Sequence, residues 1–202
     1  MYRRAIVLGV VLSFGAALAG AQMAGAPEVR VAGQAAMGPA ATPAQALDAM
    51  LNLLQGEFMG AAKAMPAAKF DFAPAKPMFA AGQEPKFEGV RTFGQQLAHV
   101  AQANFYFFSA VSGLKPPRDV AAIGKLTSRE EVLAALEESF AFGHKAIATI
   151  TPANAFEAHG NVDGMTTRAT IAAFAVAHGY DHYGQMVEYL RMNGIVPPAS
   201  AK

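Results

Sequence analysis

The chain has 202 residues, 53% hydrophobic and 15% charged, so it has enough apolar material for a core and is not a wholly disordered protein. Its formal net charge is +1, and loss of Arg3 and Arg4 with an N-terminal leader would leave +1 − 2 = −1. Such a chain, with no cluster of lysine or arginine, lacks the basic surface that nucleic acids and anionic membranes bind. We therefore expect neither partner for the mature protein.

Residues 1–21 have the pattern of a secretory signal peptide. Two arginines precede an apolar run over residues 5–18, and Ala19-Gly20-Ala21 fits the small-x-small pattern that places cleavage before residue 22. The alternative is an uncleaved membrane anchor, for which the apolar run is short. With no cysteine the chain has no disulfide, so we expect a periplasmic or secreted protein held together by its core alone.

Residues 22–41 are rich in alanine, glycine and proline and are predicted to form a flexible linker. Helical spacing of apolar residues begins after them. Thr42 and Gln45 form a capping-box pattern at the start of a first helix, which we expect to end near Pro66. After a long connection rich in phenylalanine and proline, residues 67–91, a second helix is predicted.

The second helix is predicted from Thr92 to a stop at Gly113. A third begins with the capping-box pattern at residues 128–131 and runs to about Thr149. Thr166 or Thr167 is predicted to cap a fourth helix that reaches Asn193, with a glycine and two prolines beyond it. No segment alternates apolar and polar residues as a strand does. The sequence therefore predicts an all-α domain over residues 42–200, a four-helix bundle with connections long enough to cross over.

Three histidines on two predicted helices form the candidate site. His178 and His182 are spaced i, i+4, so both imidazoles project from one helical face, one turn apart. His99 lies within the apolar pattern of the second helix. Burying imidazoles inside a bundle is costly unless their nitrogens find partners, and a divalent metal supplies such a partner. The spacing favours a three-histidine metal site with a position left open for water or substrate.

The alternative is that each of these histidines is an ordinary core or interface residue, and the residues alone leave both interpretations open. Two further histidines have no partner at ligand spacing. They are His144 on the third helix and His159 in the loop that follows it. For both we expect surface positions.

The segment at residues 178–182, HGYDH, differs from the metalloprotease motif, which needs glutamate directly after the first histidine as general base. That position is Gly179, so peptide hydrolysis by that mechanism is disfavoured. A glycine inside a helix costs about 1 kcal/mol relative to alanine, which indicates either close approach of another backbone or a ligand, or a tolerated defect. Asp181 is a candidate to orient an imidazole, with a solvated carboxylate as the alternative. Tyr106 and Asp181 are the candidates for a catalytic acid or base.

Three stretches of this sequence resemble the DinB-like superfamily. Residues 90–101, VRTFGQQLAHVA, are similar to the first metal-ligand helix of that family. Residues 177–185, AHGYDHYGQ, and their continuation to residue 198 are similar to its C-terminal helix. Residues 69–74, KFDFAP, are similar to the segment that follows its first helix. The resemblance covers about residues 42–200, and its specific part is the spacing of the histidines.

The resemblance implies a four-helix bundle with a crossover connection and a metal ion held by His99, His178 and His182. It also implies a range of activities, because some relatives are thiol-dependent transferases or isomerases while many have no established reaction. Asp181 stands where the family often has glutamate, so the departure from the pattern lies beside the ligands and not among them.

Two functions remain open on the sequence. The first is a metal-dependent hydrolase or thiol-dependent transferase acting on an unidentified small molecule, and export favours hydrolysis because thiol cosubstrates are scarce outside the cell. The second is a stress-associated bundle that binds a metal or a small ligand without turnover. Imidazole ligands suit zinc, nickel, copper and iron(II). We expect zinc, with nickel or iron as alternatives, and a homodimer is compatible with the sequence.

Overall fold

Four long helices make up most of the protein. The computed structural model describes residues 38–201, and its long helices are α1 (Pro43–Ala64), α2 (Phe93–Ser112), α4 (Arg129–Ile147) and α5 (Arg168–Met192). A one-turn helix α3 (Val120–Ile123) precedes α4, and a hairpin of β1 (Ala158–Val162) and β2 (Met165–Thr167) precedes α5. The architecture is the predicted all-α bundle.

The expected signal peptide, residues 1–21, lies outside the described residues, as does residue range 22–37 of the expected linker. Residues 38–41 are exposed and have no regular structure. None of the helices within residues 38–201 is both long enough and apolar enough to cross a membrane.

The predicted capping residues explain where the helices begin. Thr42 accepts a hydrogen bond from the backbone N–H of Gln45, whose side chain accepts from the backbone of Thr42 in return. Thr92 and Gln95 repeat this arrangement at the start of α2. Such caps satisfy backbone donors that have no partner inside the helix. At the start of α4 only half of the predicted capping box forms within the described structure. There the side chain of Ser128 accepts a hydrogen bond from the backbone N–H of residue 131.

The long helices are arranged as a bundle in which sequence neighbours are not all spatial neighbours. α2 packs against α4 and α5, and α1 packs against the same two helices. α1 and α2 therefore occupy opposite corners, and the connection over residues 65–92 crosses the bundle. This is the predicted crossover, and it brings α2 and α5, which carry the three histidines, side by side.

Gly179 permits close contact between α5 and α1. A Cβ atom at this position would lie 2.4 Å from a methyl carbon of Leu54, a residue with no exposed surface on α1. The two helices could not approach this closely with a larger residue there. A close approach does occur at Gly179, but the approaching group is a core side chain of α1 and not the expected backbone or ligand.

The hairpin corrects the expectation that the chain has no strand. Asp163 and Gly164 form its two-residue turn, with φ of 49° and 85°, between the paired residues Val162 and Met165. Positive φ at both central positions is typical of a type I′ turn, for which Asp-Gly is a preferred sequence. The strands are short and carry little apolar alternation, so periodicity did not reveal them. α3 was also missed, because four residues are too few to show a helical period.

Candidate metal centre

The three predicted histidines converge between α2 and α5. One ring nitrogen of each lies within 4.8 Å of those of the other two. The ring centroids are 5.2 Å apart for His99 and His178, 4.8 Å for His99 and His182, and 4.6 Å for the pair on α5. Three imidazoles this close could hold one metal ion, because Zn–N bonds of about 2 Å leave ligand nitrogens roughly 3–4 Å apart.

The helices position these rings through their period and their packing. His178 and His182 are one turn apart on α5, as their spacing predicted, and His99 faces them from the middle of α2. The ring of Phe107, two turns after His99, stands edge-to-face against His178 with centroids 5.5 Å apart. Phe107 meets Phe174 in the same way at 5.4 Å. These rings give one side of the cluster an aromatic wall.

A chain of polar side chains holds His182 in one orientation. The carbonyl oxygen of Gln96, a residue only 1% exposed, lies 2.7 Å from Nδ1 of His182. The amide nitrogen of Gln96 donates to Oε1 of Gln185 at 2.8 Å. The amide nitrogen of Gln185 in turn donates to Oδ2 of Asp181 at 3.2 Å. We call these residues the Gln96 relay.

The relay fixes which nitrogen of His182 carries the proton. A carboxylate only accepts hydrogen bonds, so Asp181 requires the amide nitrogen of Gln185. Gln185 then presents its oxygen to Gln96, and Gln96 presents its own oxygen to the imidazole. His182 must therefore donate from Nδ1, which leaves the lone pair of Nε2 free. Ligand histidines in metalloproteins are oriented by the same kind of N–H donation.

Burial keeps the three imidazoles neutral. Loss of solvation, with smaller contributions from the positive charge of Arg91 and from His178, lowers the pKa of His99 to about 4. Burial, and then the other two imidazoles, lowers the pKa of His182 to about 4. Burial also lowers the pKa of His178, against the opposing effect of Asp181. Neutral imidazole is the form that binds a metal.

His178 supplies an independent test of whether the residues fit a metal. Its Nδ1 is buried and has no hydrogen-bond partner in the part of the chain that the structure describes. A buried polar atom without a partner costs about 1–3 kcal/mol. A metal ion that accepted the lone pair of this nitrogen would relieve the cost. The donor set therefore fits a divalent transition metal.

Two cavities open on either side of His99. One, of about 490 Å³, is bordered by His178 as well and has walls mainly of apolar and aromatic side chains. The other, of about 310 Å³, is polar and is lined by Arg91, Gln95 and Gln102 among others. A cluster between two cavities of this size could be reached by a small molecule from solvent.

The two candidate catalytic residues stand apart from the imidazoles. Tyr106 is 54% exposed and lines the larger cavity, with its ring packed on Phe107 at a centroid distance of 5.2 Å. Asp181 is exposed, and its carboxylate accepts from Gln185. Its hydrogen-bonded connection to His182 therefore runs through the two glutamines of the relay, while its charge opposes the lowering of the pKa of His182 by burial.

The remaining histidines lie outside the cluster, but they are less exposed than predicted. His144 is 25% exposed and joins α4 to α1, with Nδ1 at 2.6 Å from Asp48 and Nε2 at 2.8 Å from Gln55. His159 is partly buried and lies in β1, where Nε2 donates to the carbonyl of Ala110 at 2.8 Å. The expectations of a surface position for both and of a loop for His159 are therefore corrected, since hydrogen bonds tie each ring to a neighbouring helix.

Gln96 and Arg91 are residues of the site that the sequence did not single out. The spacing of Gln96, three residues before His99, was visible, but its bond to a histidine 86 residues away depends on how α2 packs against α5. Arg91 lies outside every predicted helix, at the end of the connection over residues 67–91. The phenylalanines of that connection line neither cavity beside His99; of its residues only Arg91 does so.

Comparison with known protein families gives one match. A family model described as the DinB superfamily matches residues 50–186, a stretch that spans more than half of the chain and includes all three histidines. No curated protein shows significant similarity to the sequence.

Proposed function

Because the chain belongs to the DinB superfamily and its three clustered histidines could hold one ion, we propose that it is an exported metal-dependent hydrolase of a small molecule. The observation that carries this proposal is the convergence of His99, His178 and His182 beside two cavities. Zinc is the ion we propose, with nickel or iron(II) as alternatives, because imidazole ligands suit all three and affinity order alone does not select one.

Each residue of the centre has a distinct part in this proposal. His99, His178 and His182 are the ligands, and Gln96 holds His182 with Nε2 unprotonated. A divalent ion held by these three ligands would supply Lewis-acid chemistry, which can make water nucleophilic near neutral pH. Phe107 packs against His178 and lines the larger cavity beside it, so it presents an apolar surface to a bound molecule. Tyr106, at the mouth of the larger cavity, remains the candidate to exchange protons with a bound molecule.

Hydrolysis is proposed over thiol transfer because of the compartment. The N-terminal segment has the pattern of an export signal, and the chain has no cysteine. Outside the cytosol, low-molecular-weight thiols are scarce while water is always available. A transferase would therefore lack its cosubstrate where this protein is proposed to reside.

One observation favours a second candidate, a protein that binds metal or a small ligand without turnover. Among residues 38–201, neither Tyr106 nor Asp181 contacts an imidazole of the cluster through a hydrogen bond. A metal site with no acid or base beside it can store or sense an ion. Activity measurements on metal-loaded protein separate the two candidates.

The test begins with protein purified without a histidine tag and loaded with zinc. We expect one metal ion per chain by elemental analysis and hydrolysis of at least one activated ester from a panel. His182→Ala should abolish metal binding and hydrolysis. His144→Ala, which removes a histidine that contacts Asp48 on α1, should preserve metal binding and hydrolysis. Metal binding without hydrolysis of any ester would favour the second candidate. Equal metal content in wild type and His182→Ala would refute both.

A further inference from the structure

We propose that the site takes an apolar molecule bearing one carboxylate, with the carboxylate at Arg91 and the apolar body against Phe107 and Phe174. The inference rests on the proposed function, because His99 stands between the two cavities that would hold the two parts of such a molecule. It assigns a substrate class, which the metal ligands alone do not.

The larger cavity is suited to an apolar body. The rings of Phe107 and Phe174 and the side chains of Ala103 and Val120 form its walls, so four residues from three helices contribute apolar surface. Its volume of about 490 Å³ lies in the range of roughly 300–1,000 Å³ typical of small-molecule sites. Burying an aromatic ring here is favourable because it removes apolar surface from water.

Gln102 forms the boundary between the cavities. Its side chain lines both of them, and its amide nitrogen donates to the carbonyl of Val120 at 3.0 Å. The same side chain lies against Gly124, where an added Cβ would be 3.3 Å from the amide nitrogen. Gln102 therefore ties α3 to α2, and a molecule that extends past His99 passes from an apolar cavity into a polar one.

Arg91 is the cationic group of the smaller cavity. Its backbone carbonyl accepts from the hydroxyl of Tyr189 at 3.1 Å, which anchors this residue to α5. No carboxylate forms an ion pair with Arg91 within residues 38–201. Arg91 lines the smaller cavity together with His99. A guanidinium without an anionic partner beside a cavity is suited to bind a carboxylate in two-pronged fashion.

Asp163 determines the orientation of the molecule. The turn of the hairpin places its carboxylate at the edge of the larger cavity, which His178 also lines. A carboxylate on the bound molecule would be repelled from this end and attracted to Arg91. The arrangement of the two charges therefore selects an acid that enters the larger cavity with its uncharged end.

Three probes of the same shape test this assignment. They are 3-phenylpropanoate, 3-phenylpropanamide and 3-phenylpropylamine, which carry a negative charge, no charge and a positive charge. Binding is measured by calorimetry with both metal-free and zinc-loaded full-length protein. We expect the acid to bind about tenfold more tightly than the amide in both forms, and the amine to bind least tightly.

Two variants separate the roles of the cavities. Arg91→Gln should remove the preference for the acid and leave the affinity for the amide unchanged. Arg118 is a remote arginine that pairs with Glu138, and Arg118→Gln should bind the probes as the wild type does. Ala103→Leu, which fills the apolar cavity, should weaken acid and amide alike by about tenfold, and Ala103→Val serves if the leucine variant does not fold.

The outcomes distinguish this inference from the metal proposal. Equal affinities for acid and amide, or an amine that binds as tightly as the acid, would overturn it even if zinc is bound. An acid preference that appears only with zinc and survives Arg91→Gln would also overturn it, because the ion would then hold the carboxylate. If the protein proves unable to bind metal, but prefers the acid and loses that preference in Arg91→Gln, the result would support this inference and refute the proposed function.

Discussion

Gln96 offers the sharpest single perturbation of the centre. Replacing it with leucine keeps a buried side chain of similar size but removes the oxygen that accepts from Nδ1 of His182. The imidazole would then be free to move its proton to Nε2, which would block the nitrogen proposed to bind the metal. Loss of groups that orient ligand histidines lowers metal affinity about 10–100-fold, which corresponds to about 1.4–2.7 kcal/mol.

The metal-free protein should be affected as well. Gln96→Leu leaves a buried N–H donor without an acceptor, which costs about 1–3 kcal/mol, partly offset because the glutamine itself no longer has to be desolvated. Zinc affinity is measured by competition with a chromophoric chelator, and stability by urea unfolding of chelator-treated protein. Gln96→Glu keeps an acceptor oxygen for Nδ1 of His182 but loses the donor to Gln185, so its zinc affinity should exceed that of Gln96→Leu without reaching that of the wild type.

The matched control is Gln55→Leu. Gln55 lies 2.8 Å from Nε2 of His144, so the substitution breaks a glutamine–histidine contact of the same kind away from the cluster. Its zinc affinity should equal that of the wild type. Wild-type affinity in Gln96→Leu, or an equal loss in Gln55→Leu, would refute the role assigned to the relay.

Three further predictions concern the packing of the bundle, the pH dependence of its stability, and the contribution of Asp181 to zinc binding. Gly179→Ala should lower the free energy of unfolding, measured by urea titration, by about 1–3 kcal/mol, because the new methyl group would overlap Leu54. Gly184 lies on the surface of the same helix with open space around it, so Gly184→Ala should leave that free energy unchanged or raise it. Burial lowers the pKa of His99 and His182 from 6.5 to about 4, so the unfolded chain binds more protons between those values. Metal-free protein should therefore lose stability as pH falls from 6.5 to 4; a urea midpoint that rises on acidification would contradict this sign. Asp181→Ala should weaken zinc binding less than Gln96→Leu does, since two amides separate it from the imidazole, and a larger loss in the same chelator assay would show a direct role for the carboxylate.

The starts of the long helices were predictable because they depend on local chemistry. Thr42 and Thr92 each precede a glutamine by three residues, and the hydrogen bonds that define such a cap involve only those neighbours. The hairpin could also have been found, since Asp163-Gly164 is a strong turn signal. It was missed because its flanking strands lack the alternation by which strands are recognised.

The histidine cluster was predictable in part. The spacing of His178 and His182 places both on one face of α5, and the apolar pattern of the second helix pointed to His99. The family resemblance then implied all three as ligands. The surroundings were not predictable, because Gln96 and Arg91 reach the cluster only through the packing of α2 on α5. The period of one helix does not determine which residues of another helix will face it.

The central claim is that one ion binds where His99, His178 and His182 meet. Its most direct test is the anomalous difference map of a crystal grown with zinc and recorded at the zinc edge. We predict a single strong peak within about 2.0–2.1 Å of one nitrogen from each ring, with His182 bound through Nε2. A peak elsewhere, or density with no ion between the three rings at saturating zinc, would contradict the claim.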